Sequence, residues 1–139
     1  MANSVLKGCG VTHIALNASD FDRSLKFYTE GLGFSVYRRW AAPTREIALL
    51  DSGDGTCIEL FSNAPASGKP DNNTAGSWAH LAFHVADADA CYRRALEAGA
   101  QPKTAPKTME LPSPPPIPVR LAFVFGPDGE ELEFFQVLE

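Results

Sequence analysis

The chain has 139 residues, of which 45% are hydrophobic and 21% charged, with a net charge of −5. That length suits a single compact domain with a real core, and the composition excludes a disordered chain. An acidic balance without a basic run disfavours nucleic acid and anionic membrane as partners, and no apolar run approaches the roughly 20 residues that cross a bilayer.

The N-terminal MANSVLKGCG lacks the apolar stretch of a secretory signal. Cys9, Cys57 and Cys91 are an odd set without CxxC spacing, so no disulfide framework is expected. A cytoplasmic location is the expectation from both. Residues 11–17, VTHIALN, alternate and predict a strand. Ser19 or Asp20 then suits a helix N-cap, and Phe21, Leu25, Tyr28 and Leu32 follow at helical spacing before Gly31 and Gly33. FSVYRRW predicts a further strand, and EIALLD turns through SGDG into TCIELFS as a hairpin. Residues 64–76, rich in Pro, Gly and Asn, predict a linker. The second half begins the series again: a strand over 79–85, a helix capped by Asp87 and stopped by Gly99, a proline-rich run over 102–118, and a hairpin through GPDG.

The two halves are copies. An offset of 67 residues lays His13 on His80 and Asp20 on Asp87, and an offset of 74 lays Glu59 on Glu133 and Phe61 on Phe135. The expected fold is therefore α+β, a single domain of two tandem βαβββ modules over about 8–63 and 77–139.

Strand parity then sorts the polar residues. His13, Ala15 and Asn17 share one face, and so do His80, Ala82 and His84. Glu59 shares a face with Cys57 and Phe61, and Glu133 shares one with Glu131 and Phe135. The aliphatic faces suit the helices, which leaves His13, Glu59, His80 and Glu133 on concave surfaces. Imidazole and carboxylate in apolar surroundings need partners, and two of each suit a divalent transition metal. Four protein ligands favour five- or six-coordinate Ni²⁺, Co²⁺ or Mn²⁺ over a closed tetrahedral Zn²⁺. His84, on the same face, is a candidate substrate contact. Arg120 is a candidate partner for a substrate carboxylate, and the proline-rich run is read as either a lid over the substrate or a surface crossover.

HIALNASDFDRSLKFYTEGLGF, CIELFSN, AHLAFHVADADA and AFVFGPDGEELEFF resemble the vicinal oxygen chelate superfamily, which contains glyoxalases, bleomycin-resistance proteins and extradiol dioxygenases. The resemblance implies paired modules forming a cupped sheet around a metal, with ligands at His13, Glu59, His80 and Glu133. This ligand set is similar to that of bacterial glyoxalase I, the lactoylglutathione lyases. It implies isomerisation of a 2-oxoaldehyde–thiol hemithioacetal to a 2-hydroxyacyl thioester through an enediolate, with Ni²⁺, Co²⁺, Zn²⁺ or Mn²⁺. By the same resemblance Glu133 is the base, with Glu59 able to serve symmetrically. Asn63 falls where the family has an Asn that contacts glutathione, and Asn17 stands where it typically carries an Arg. Glutathione or another thiol is the implied partner, and a homodimer the implied assembly. The alternatives within the superfamily are an Fe²⁺ extradiol-type dioxygenase, an epimerase, or a non-enzymatic drug-binding resistance protein.

Overall fold

A computed structural model describes all residues, 1–139. Each half folds as one four-stranded mixed sheet with a helix on one face. In the first, β1 (His13–Asn17) leads to α1 (Phe21–Lys26), which runs into a π-helical turn at Phe27–Gly31. β2 (Ser35–Ala41), β3 (Glu46–Asp51) and β4 (Cys57–Phe61) complete the sheet in the order β1-β4-β3-β2. The second half repeats this with β5 (Leu81–His84), α2 (Ala88–Glu97), β6 (Gln101–Leu111), β7 (Ile117–Phe125) and β8 (Glu131–Val137), in the order β5-β8-β7-β6. In both sheets the first and last strands of the module lie side by side and parallel. No helix is long and apolar enough to cross a membrane.

The helices start where the sequence places their caps. Asp20 accepts a hydrogen bond from the Arg23 amide at 3.1 Å, and Asp87 accepts one from the Ala90 amide at 3.0 Å. Each satisfies one of the free N–H groups of a first turn. Ser19, the other cap candidate, reaches across to the second module, where its hydroxyl and its amide both donate to Asp128.

The two modules share one core. It joins Phe21, Phe27, Tyr28 and Phe34 of the first module to Ala88, Ala95, Leu132 and Phe134 of the second. The strand residues within it, among them Leu50, Ile58, Leu60 and Val124, all come from the helix-covered faces. Both sheets therefore turn their aliphatic sides inward and leave their His/Glu sides facing out. Three further contacts fasten the modules. Arg94 of α2 donates to the Gly31 and Glu30 carbonyls at 2.9 and 2.8 Å, satisfying groups that a helix end leaves free. A Cβ on Gly31 would lie 2.7 Å from the Ala98 Cβ, so glycine permits the close approach of the helices. The buried Tyr28 hydroxyl donates to Glu130 at 2.7 Å.

The proline-rich run is neither a lid nor a plain crossover. Most of it is β6, the outermost strand of its sheet, paired with β7. The register shifts between Pro102 and Thr104 and again between Thr104 and Lys107, around Pro106. An outermost strand accommodates proline because an absent N–H there forfeits no ladder bond, and the bulges absorb the rest.

Candidate metal centre

The register of β1 on β4 sets Ala15 opposite Glu59, so His13 sits diagonally next to that carboxylate. β5 on β8 repeats the arrangement: Ala82 faces Glu133 and His80 is its diagonal neighbour. His13 Nε2 lies 3.5 Å from Glu59 Oε1, and His80 Nε2 lies 3.0 Å from Glu133 Oε2. The imidazoles are about two-fifths exposed, whereas the Glu59 and Glu133 side chains are 18% and 8% exposed. The His80 ring is packed edge-on against Phe123 at 5.2 Å between centroids, which fixes its direction.

This geometry fits metal ligation. Two donors about 2.1 Å from one ion and at right angles to each other lie about 3 Å apart. Glu133 is buried with only the imidazole beside it, and a carboxylate taken out of water needs a cation or donors. One chain supplies two pairs and not a closed quartet: no three His, Cys, Asp or Glu side chains gather closely enough to hold an ion. The pairs stand on two outward faces of a back-to-back pair of sheets, so the quartet expected from the sequence is divided between two half-sites.

The other site residues fall as follows. Asn17 is on the His13 face, opposite Phe61. His84 ends β5 on the His80 face and also lines a cavity of about 680 Å³ between the modules, with Phe34, Phe83 and Cys91. Asn63 lies just past β4 with φ at 67°, and its side-chain amide donates to the Thr44 carbonyl at 2.8 Å. Arg120 does not belong to the site. In β7 it alternates with Leu121 and Phe123 and so takes the helix-covered side, where its guanidinium grips Asp89 of α2 and donates to Thr108. The alternation of β7 accounts for that orientation. Glu131 is occupied by Lys103; burial opposes its ionisation, but hydrogen bonds from Lys103 and Asn72 keep its carboxyl below the ordinary value. Burial pushes the Cys57 thiol up, with Asp51 and Asp54 adding to the effect, so it stays an unreactive neighbour of Glu59. Arg45 stands in the loop before β3, outside the residues that the repeat singles out. It is stacked on Phe61 at 3.8 Å, and its alternation with Ile47 and Leu49 was the available signal.

The fold recurs in known proteins. The chain belongs to the Glyoxalase/Bleomycin resistance protein/Dioxygenase superfamily, whose family model matches residues 10–134. It is 32% identical to the lactoylglutathione lyase of Neisseria meningitidis serogroup A over 130 residues, covering 89% of this chain and 88% of that protein. It is 31% identical to the uncharacterized protein YwkD of Bacillus subtilis over 128 residues, covering 91% and 95%. The crystal structure of the glyoxalase family protein from Enterococcus faecalis superposes with a TM-score of 0.73 at 26% identity, covering 91% and 96%.

Proposed function

We propose that this protein is a divalent-metal-dependent lyase of the glyoxalase I type. It would convert the hemithioacetal of a 2-oxoaldehyde and a thiol into a 2-hydroxyacyl thioester. In this reading it acts as a cytoplasmic homodimer, in which His13 and Glu59 of one protomer meet His80 and Glu133 of the other. The observation that carries the reading is the pair of matching His/Glu half-sites, at 3.5 and 3.0 Å, on open sheet faces. Large apolar side chains left in water, Trp40 and Trp78 among them, support a partner surface.

His13, Glu59, His80 and Glu133 would hold a divalent ion, which would supply Lewis-acid polarisation of the substrate oxygens. His13 and His80 would bind it through the ring nitrogens that lie beside Glu59 and Glu133. Glu133 removes the proton from the carbon that bears the thiol and returns it to the neighbouring carbon. Its burial keeps water from competing for that proton. Glu59 occupies the equivalent position in the other half and can act on the opposite face of the substrate. The test is to load the protein with Ni²⁺, Co²⁺, Zn²⁺ or Mn²⁺ and follow thioester formation from methylglyoxal and a panel of thiols. Thioester formation with at least one metal is expected. Its absence with every metal and thiol contradicts the reading.

A further inference from the structure

We propose that Arg45 anchors a carboxylate on the thiol half of the substrate, and that Asn63 is the positioning residue that holds Arg45 in place. This rests on the lyase reading above and identifies which feature of the thiol the site recognises.

Arg45 lies in the loop between β2 and β3, exposed, two residues ahead of Ile47. Its guanidinium carbon is 3.8 Å from the centroid of the Phe61 ring. Phe61 stands on the His13–Glu59 face, paired with Asn17 on one side and Ile47 on the other. It lies two strand positions beyond Glu59, about 7 Å along the sheet. A cation there is too far to touch the reacting carbons and near enough to reach the far end of a bound thiol. A guanidinium laid on a ring keeps its in-plane N–H donors free, and their fork matches a carboxylate. Those donors are unclaimed. Arg39, Arg94 and Arg120 each have a carboxylate partner, while Arg45 has none within 4 Å, and the adjacent Glu46 is taken by Arg39. Arg38, register partner of Leu49, adds a second positive charge to this face.

The loop is tied down from the end of β4. Asn63 donates to the Thr44 carbonyl at 2.8 Å, the Glu46 amide donates to the Ser62 hydroxyl at 2.8 Å, and the Ala42 amide donates to the Arg45 carbonyl at 2.8 Å. Asn63 thus spends its side-chain amide on the segment that carries Arg45.

Calorimetric titration of the metal-loaded protein with two non-reactive thioethers tests this: S-hexylglutathione, which has two carboxylates, and its diethyl ester, which has none. Wild type is expected to prefer the acid by roughly tenfold, the scale of one charge-assisted hydrogen bond. Arg45→Met removes that preference and Arg45→Lys keeps part of it. Asn63→Gly, which retains the backbone angle and loses the side chain, reduces it. A wild type without preference, or a preference that survives Arg45→Met, overturns the role of Arg45 while leaving isomerase activity as the separate test of the lyase. Failure of both probes to bind also overturns it, and the absence of activity with every thiol would remove the lyase as well.

Discussion

His13 and His80 each stand where an apolar strand would otherwise continue, and each has a glutamate diagonally across the neighbouring strand. Parity and the internal repeat place each imidazole on one sheet face with its glutamate, because a strand's alternation fixes faces regardless of tertiary context. The same rule, applied to β7, would have turned Arg120 toward Asp89. Arg45 was harder to see, since a cation on a ring depends on how a loop folds back over β4. If Glu133 carries the proton, Glu133→Gln should lower kcat by about 10²- to 10⁴-fold, the usual weight of a positioned general base. Circular dichroism should show an unchanged fold. A variant with near wild-type kcat would move the base elsewhere.

At the level of elements, the strands and helices were legible wherever local pattern decides them. Asp20 and Asp87 cap as expected, and both Asp-Gly turns close hairpins. The proline-rich run was not legible, because its strand depends on β7 for its bonds and on its edge position to tolerate Pro102 and Pro106. Two element contacts can be tested. Gly31→Ala should destabilise the fold by about 1–3 kcal/mol in denaturant titration, because its methyl group would meet Ala98 in a packed contact. The second is the clamp of α2 on β7. Hydrogen bonds from Arg120 hold the Asp89 carboxyl below its ordinary range. A depressed carboxyl contributes stability above its unfolded value, and this is lost as pH falls through the folded one. The melting-temperature gap between wild type and Arg120→Met should therefore be open at neutral pH and close below about pH 4. A gap independent of pH would mean that Arg120 acts only through packing.

Across the whole molecule the back-to-back packing of modules determines what one chain can do alone. Parity tells which face a residue takes but not which faces meet, so the division of the quartet was invisible in the sequence. The module interface has its own titration. Burial, and then Glu130, push the Tyr28 hydroxyl well above its ordinary value. A buried neutral tyrosine contributes stability that is complete below about pH 10 and is lost as the pH rises further. Wild type should lose stability in that alkaline range, and Tyr28→Phe should remove that part of the loss while costing about 1 kcal/mol at neutral pH. An alkaline profile unchanged by the substitution would rule out this contact as its source.

The central claim is that two chains complete each metal centre. Two double variants test it, one lacking both His13 and Glu59 and the other lacking both His80 and Glu133, all replaced by Ala. Each alone should bind no stoichiometric metal. Refolded together in equal amounts, they should regain metal in mixed dimers with one intact site, to about a quarter of the wild-type content on random pairing. Mixtures as empty of metal as the separate variants would contradict a centre shared between protomers.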